Sequence, residues 1–252
     1  MRSIALFSLI IIATFGGDGS LRAAESTPAP WPPRRGDLIV GFQATRGVGS
    51  EVNLFLNLGA ATGWRDGDGK WVAVAHLGAE LTRHYGDGWF SRTDLWIGAI
   101  ANRSNIKSDP VREGDPPRSF YLSRSAREPG ASRPWTGLSE MALGSAATFL
   151  SGQYDMLATL EASGAGTATV RFSDVIRWQN GWTHWNPVDA RGQQMAYRRF
   201  PGGIQQHFGQ TAPGPVCLDI QRVEPGAEIG RVVFSLVIDS TGRLSVGRGP
   251  LP

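Results

Sequence analysis

An aromatic segment, Trp178–Trp185 (WQNGWTHW), carries the residues best suited to binding a sugar. It contains Trp178, Trp182 and Trp185 together with His184, and so holds three of the nine tryptophans of the chain. Indole rings that share one face can stack on sugar rings, and nearby polar groups can hydrogen-bond their hydroxyl groups. Large aromatic side chains also fill protein cores. The segment therefore predicts either a carbohydrate-binding platform or part of the core.

A second pattern with chemical potential is the acidic turn around Asp66 and Asp68, in the stretch Gly63–Lys70 (GWRDGDGK). Two carboxylates separated by one glycine can supply oxygen ligands to a hard cation such as Ca²⁺. A complete calcium loop needs further acidic ligands, and Lys70 follows here instead. Asp and Gly also suit a solvated turn. A Ca²⁺ site at Asp66 and Asp68 is thus one hypothesis, and a plain turn is the other.

Patterns for catalysis are weaker. Cys217 lies in an alternating segment (VCLDI) that is typical of a buried strand, and no G-x-S-x-G or H-E-x-x-H motif occurs. Residues 104–107 (SNIK) match S-x-x-K without the partner motifs that such enzymes need. An acidic pair for glycoside hydrolysis, such as Glu80 with Asp94, depends on a spatial separation that the sequence does not give. We therefore assign no catalytic residue, and favour a protein that is not an enzyme.

The N-terminus has the pattern of an export signal. Arg2 is followed by the apolar run Ile4–Phe15 and then by small residues. Cleavage is plausible after Gly19 or after Ala23, so we treat residues 1–24 as the signal peptide and residues 25–36 as a Pro-rich linker. The apolar run of 12 residues is shorter than the ~20 residues that a membrane span needs. We expect a secreted, extracellular or periplasmic protein.

Composition limits the partners. Export would remove Arg2, Arg22 and Asp18, and the formal net charge would fall from +3 to +2. No basic run stands out, so nucleic-acid binding is not expected. The single cysteine excludes an intrachain disulfide and a Cys-rich metal site. With 41% hydrophobic residues, the chain is apolar enough to build a core.

The elements that must position these residues are mostly strands. Period-two alternation or short apolar runs predict strands over 37–43, 52–58, 94–101, 120–123, 168–172, 216–222, 231–239 and 243–246. Helical spacing predicts helices over 77–85 and 139–160, the second of which Gly144 and Gly152 weaken. Residues 173–215 show no regular pattern. We predict a single mainly-β domain over residues 37–252, with sandwich-like packing and one to three helical insertions.

The order of segments resembles a known group of proteins. The blocks GDLIVGF, NLFLNLG, DLWIGAIAN and the closing GRVVFSLVIDSTGRLSV are similar to those of secreted bacterial proteins, common in Verrucomicrobia, that usually carry a PEP-CTERM sorting tail handled by an exosortase. The resemblance spans Gly36–Val246 and implies export and a role at the cell surface or in the extracellular matrix. It carries no activity and no catalytic residues. The sequence ends at Gly249–Pro252 without such a tail, so we expect a released product with no stable membrane anchor after signal cleavage.

These observations predict a secreted, non-catalytic surface or matrix protein. A carbohydrate-binding module that uses Trp178, Trp182 and Trp185 is the first alternative, and a hydrolase of extracellular polysaccharide is the second. The partners expected in each case are extracellular polysaccharide or other matrix components. No cofactor other than a possible Ca²⁺ ion is expected.

Overall fold

The computed structural model describes residues 28–136, 139–163, 166–171, 204–210 and 214–251. These residues form three α-helices, namely α1 (Ala61–Asp66), α2 (Gly78–Tyr85) and α3 (Glu140–Leu157). They also form ten strands, which are β1 (Asp37–Ala44), β2 (Val52–Ala60), β3 (Val72–His76), β4 (Leu95–Asn102), β5 (Phe120–Ala126), β6 (Thr167–Arg171), β7 (Gln205–His207), β8 (Val216–Val223), β9 (Arg231–Ile238) and β10 (Arg243–Gly247).

All ten strands belong to one antiparallel, nearly closed sheet, in which nine follow the order β3-β10-β9-β8-β5-β4-β1-β2-β6 and β7 pairs with β4. Strand β1 pairs along one edge of β4. The other edge of β4 is shared, because β7 pairs with residues 96–98 and β5 with residues 100–102. The prediction of a mainly-β single domain with a few helices is confirmed.

The inner face of the curled sheet holds the larger hydrophobic core. Alternate residues of each strand point to the same face of a sheet. In β1 these are Leu38, Val40 and Phe42, and all three are fully buried in this core. Helix α2 packs on it through Leu81 and Tyr85. The curled sheet therefore encloses this core. Its two halves face each other across the core, as the two sheets of a β-sandwich do.

Helix α3 covers part of the outer face. Its first turn is capped by Ser139, whose side chain accepts a hydrogen bond from the Ala142 N–H. Small and large apolar residues of α3, among them Ala147 and Leu150, share a second core with outward residues of the sheet such as Ile39 and Ile100. The sequence predicted this helix, and it runs unbroken through both glycines. No helix in the described part of the chain is long and apolar enough to cross a membrane.

Two elements differ from expectation. Helix α1 extends into the stretch Gly63–Lys70 that was predicted to be a turn, and the stretch 173–215, which shows no regular pattern in the sequence, contains β7. Tertiary contacts account for α1, because Trp64 packs against the inner core and donates from Nε1 to the Leu58 carbonyl oxygen at 2.8 Å. Such contacts override the weak helix propensity of a six-residue segment that contains glycine.

Candidate functional site

A cleft of about 310 Å³ opens where β1 begins and β2 ends. The long loop between β4 and β5 supplies half of its lining. We call it the arginine cleft and define it by its lining residues, which are Arg35, Gly36, Ala60, Thr62, Arg103, Asp109, Arg112, Glu113, Asp115 and Tyr121.

The floor of the arginine cleft is an ion network centred on Asp115, whose side chain is completely buried. Its Oδ1 lies 2.5 Å from Arg65 Nη1 and 2.7 Å from Arg222 Nε. Its Oδ2 accepts a hydrogen bond from Tyr121 Oη at 2.8 Å. A buried carboxylate requires partners of this kind, because burial otherwise favours its neutral form. The network therefore fixes the position of the β4–β5 loop against the sheet.

Local structure brings these partners together. Tyr121 in β5 lies directly opposite Arg222 in β8, so the strand register sets two members of the network side by side. Arg65 comes from helix α1, and its guanidinium also donates to both carboxylate oxygens of Asp66 at 2.6–2.7 Å. The hydrogen bond to Asp66 is the largest effect on Arg65 and raises its pKa above the ordinary value. Arg65 therefore stays positively charged in the ion network around Asp115.

A tight turn presents the loop residues. Arg112 and Asp115 form an antiparallel bridge, with the Asp115 N–H donating to the Arg112 carbonyl oxygen at 2.8 Å. The two residues between them, Glu113 and Gly114, have φ angles of 50° and 74°. Positive φ at both central positions is the signature of a type I′ turn, which favours glycine. The turn places Arg112 and Glu113 at the exposed mouth of the cleft while Asp115 stays buried.

Several charged side chains at the mouth of the cleft form no salt bridge with another described residue. Among the described residues, the Arg103 guanidinium makes one hydrogen bond, from Nη2 to the Pro110 carbonyl oxygen at 3.3 Å. Within the described residues, the Arg112 guanidinium has no hydrogen-bond or ion-pair partner. Asp109 accepts from the Ser104 hydroxyl, and Glu113 accepts from Thr62 Oγ1 at 2.7 Å. Cations and anions thus border the same space without neutralising one another.

This arrangement suits a hydroxyl-rich ligand. A hydroxyl group can accept from an arginine N–H and donate to a carboxylate, so mixed donors and acceptors match neighbouring hydroxyl groups. The lining contains three arginines and three carboxylates, and its formal charge is therefore zero. A strongly anionic polymer would meet Asp109 and Glu113 as well as the arginines. The cleft is better matched to a neutral polyhydroxylated molecule.

The acidic turn predicted as a Ca²⁺ site has its carboxylates engaged elsewhere. Asp66 ends helix α1 and is bound by the Arg65 guanidinium, which holds the pKa of this carboxyl below its ordinary value. Asp68 accepts from the Lys70 N–H at 3.0 Å and lies 3.1 Å from Lys70 Nζ. The described residues contain no group of three or more His, Cys, Asp or Glu side chains that could hold a metal ion. Calcium binding at this turn stays a prediction.

The aromatic platform is outside the described residues. Trp178, Trp182, His184 and Trp185 all fall in the interval 172–203, so their predicted role stays a prediction.

The cysteine and the acidic pair that the sequence offered for catalysis are buried or ion-paired in the fold. Cys217 is buried in β8, and burial raises the pKa of its thiol to about 12. Asp94 is paired with Arg92 at 2.8 Å, and Glu80 with Arg83 on the surface of α2. Neither carboxylate lines the arginine cleft.

Sequence reasoning missed the arginine cleft. Its members are spread over the chain from Arg35 to Tyr121, and the ion network reaches on to Arg222. One local signal was present, namely Glu113–Gly114 inside a polar loop, which is compatible with a tight turn. Nothing local indicated which residues would meet around Asp115.

Comparison with known proteins does not assign the chain to a family. No protein-family model, no curated protein and no solved structure matches the chain.

Proposed function

We propose that the protein is a secreted, non-catalytic surface or matrix protein that binds a neutral extracellular polysaccharide in the arginine cleft. Export is supported by the signal-like order of Arg2, the apolar run Ile4–Phe15 and the small residues after it. The resemblance to secreted PEP-CTERM proteins supports a role at the cell surface or in the matrix.

The observation that carries the proposal is the pairing pattern at the mouth of the cleft. Arg112 and Glu113 are adjacent on one tight turn, yet no ion pair joins their side chains. Arg103 and Asp109 line the same cleft, and no ion pair joins them either. The rigid floor around Asp115 keeps these groups in place before a ligand arrives. Preorganised polar groups bind better because less conformational entropy is lost on binding.

Binding without catalysis is supported by the state of the buried groups. Asp115, the most deeply buried carboxylate of the cleft, is held by Arg65, Arg222 and Tyr121. Desolvation raises the pKa of the Tyr121 hydroxyl, so this group stays protonated and donates a hydrogen bond to Asp115 Oδ2. Because each of these groups is already held by an ion pair or a hydrogen bond to another, we assign them a structural role in shaping the cleft.

A glycan array probed with the exported protein tests the proposal. We expect binding to neutral, hydroxyl-rich glycans, and a loss of at least about tenfold in affinity for Arg112→Ala, since hydrogen bonds to charged groups contribute ~1.5–3 kcal/mol. Arg127→Ala is the matched control, because Arg127 is exposed in the turn after β5 and outside the cleft. Absence of binding to every glycan, or equal binding by both variants, would contradict the proposal.

Export is tested separately. Replacing Ile10 by Asp interrupts the apolar run and should retain the protein in the cytoplasm. N-terminal sequencing of the exported protein should begin at Ser20 or Ala24, the residues that follow the two predicted cleavage points. An exported protein that still begins at Met1 would contradict the assignment.

One specific observation favours a second candidate, a polysaccharide hydrolase. Asp109 and Glu113 both line the cleft without a cationic partner among the described residues. Glycoside hydrolysis uses two carboxyl groups about 5–10 Å apart. Release of reducing ends from a bound glycan, abolished in both Asp109→Asn and Glu113→Gln, would favour the enzyme over the binding protein.

A further inference from the structure

A second cavity, of about 270 Å³, lies on the outer face of the sheet where β3, β10 and β9 run side by side. We call it the Trp71 pocket and define it by its lining residues, which are Trp71, Ala73, Pro215, Val237, Asp239, Arg243, Ser245 and Leu251. None of these residues lines the arginine cleft.

The floor of the Trp71 pocket is a row of small side chains. Strand pairing sets Ser245 of β10 directly opposite Ala73 of β3 on one side and Val237 of β9 on the other. The neighbours of Ser245 along β10, Leu244 and Val246, belong to the inner core, so the row faces outward because side chains alternate along a strand. Small outward side chains between larger ones leave a depression in the surface of the sheet.

One end of the pocket is formed by an indole ring that is held in place. The Trp71 ring covers Gly247 of β10, where a Cβ atom would lie only 2.4 Å from the ring. Nε1 of Trp71 donates to the Pro250 carbonyl oxygen at 2.9 Å, and the next residue, Leu251, also lines the pocket. Trp71 is partly exposed and Leu251 is 41% exposed, so both present apolar surface that a ligand can reach.

The other end of the pocket carries two charged side chains from the turn between β9 and β10. Asp239 Oδ1 is engaged within this turn, where it accepts from the N–H groups of Thr241 and Arg243 at 2.9 and 3.1 Å. In the described part of the chain, the Arg243 guanidinium and the Ser245 hydroxyl have no hydrogen-bond or ion-pair partner. Nε of Arg243 is buried, so the donors that a ligand can reach are its Nη groups. Asp239 and Ser245 are also partly exposed, so this end offers accessible donors and acceptors.

This combination of groups matches a sugar unit better than it matches an ion. A sugar ring has an apolar face that packs on aromatic and aliphatic side chains, and hydroxyl groups that both donate and accept. The Trp71 indole and Val237 supply the apolar surface, whereas Arg243 donates and Asp239 accepts. These two charged residues give the lining a formal charge of zero, so an anion or a cation would be attracted by one of them and repelled by the other.

We infer that the Trp71 pocket is a second binding site, which takes one neutral sugar unit with its apolar face toward Trp71 and its hydroxyl groups toward Arg243 and Asp239. Ser245 in the floor is two residues from Arg243 and two from Gly247 along β10, or ~7 Å in each direction. A ligand seated over Ser245 therefore reaches both the guanidinium and the indole ring.

The Trp71 pocket is separate from the arginine cleft. Arg231 at the start of β9 lies opposite Arg222, which belongs to the ion network under the cleft. Val237 in the floor of the pocket is six residues further along β9, or roughly 20 Å away. One ligand unit in the pocket therefore does not contact the cleft, and the inference does not depend on the ligand proposed there.

The test follows the indole N–H signal of Trp71 by two-dimensional ¹H–¹⁵N NMR, with the methyl glycosides of glucose, galactose and mannose as probes. Trp71→Phe assigns the signal, because that variant lacks the indole N–H. At least one glycoside should shift the Trp71 signal in a saturable way. Arg243→Met, which keeps most of the side-chain length without its donors, should weaken that binding by at least about tenfold. Arg231→Met is the matched control and should bind as the wild type does, because Arg231 is exposed at the other end of β9.

Three results would overturn the inference. The first is a Trp71 signal that none of the three glycosides shifts, and the second is an equal response in wild type and in folded Arg243→Met. The third is tighter binding of methyl glucuronide than of methyl glucoside, which would show a site for an anion. If Arg243→Met does not fold, the wild-type titration and the glucuronide comparison still decide the result. Arg112→Ala should leave the Trp71 response unchanged, so failure of this pocket and failure of the cleft are distinguishable.

Discussion

Arg65 Nη1 lies 2.5 Å from Asp115 Oδ1, and this contact joins helix α1 to the loop between β4 and β5. The two residues are 50 positions apart in sequence. The arginine is 12% exposed and the aspartate is completely buried. The ion pair therefore couples the one helix that the sequence did not predict to the one loop that shapes the cleft.

Removing the charge of Asp115 should be strongly destabilising. Asp115→Asn keeps the shape of the side chain but leaves Arg65 and Arg222 without their shared anion. Breaking a buried ion pair in this way costs about 3–5 kcal/mol. Urea denaturation should show this loss. The control is Asp155→Asn, which breaks the exposed pair with Arg35 and should cost at most ~1 kcal/mol. Similar losses in both variants would contradict the buried network.

Stability should fall in acid partly through Asp94. Its pKa is held below the ordinary value, first by the hydrogen bond from Arg92. A carboxyl group with a lowered folded-state pKa contributes stability above its unfolded pKa of about 3.9, and this stability is lost as the pH falls through the folded-state pKa. In Asp94→Asn, stability should therefore change less steeply with pH below about 4. An unchanged slope in urea titrations would contradict the pairing.

The hydroxyl group of Tyr85 should stabilise the β1–β2 pair. It is buried, donates to the Phe42 carbonyl oxygen at 3.0 Å and accepts from the Leu54 N–H at 3.2 Å. Tyr85→Phe removes both bonds and should lower the free energy of unfolding by about 1–3 kcal/mol. Thr159→Val removes an exposed hydroxyl bond to Met156 and should change it by no more than ~0.5 kcal/mol. Equal effects in thermal unfolding would show that Tyr85 Oη is not buried as described.

The thiol of Cys217 should be inert in the folded protein. It is 3% exposed, and burial is the main reason that its pKa rises to about 12. The thiolate is the reactive form, so a raised pKa and lack of access both suppress reaction. Ellman's reagent should label no thiol in the native protein and one thiol per chain in urea. Rapid labelling of the native protein would contradict the buried strand position.

Most strands could be predicted because their pattern is local. The alternation in Val52–Leu58 places one set of side chains on the inner core, which fixes both strand and face. Helix α3 could be predicted for the same reason, since its apolar spacing and its Ser139 cap are local signals. Gly144 did not break it. A Cβ atom at this position would lie only 3.0 Å from the Arg118 guanidinium, so the glycine gives room for close packing.

The site could not be predicted because its members meet only through long-range pairing. Tyr121 and Arg222 become neighbours through the β5–β8 register, and Arg65 joins them through a helix with little local propensity. Asp66 and Asp68 were prominent in sequence because they are close along the chain. In the fold their carboxylates are bound by Arg65 and Lys70.

The most direct test of the account is isothermal titration calorimetry of the exported protein with its best glycan from the array. We expect saturable binding that changes little when salt is raised, because a neutral ligand loses little attraction when charges are screened. Arg112→Ala should bind at least about tenfold more weakly, with Arg127→Ala equal to the wild type. Full affinity in Arg112→Ala, or binding that disappears with added salt, would contradict a cleft built for neutral polysaccharide.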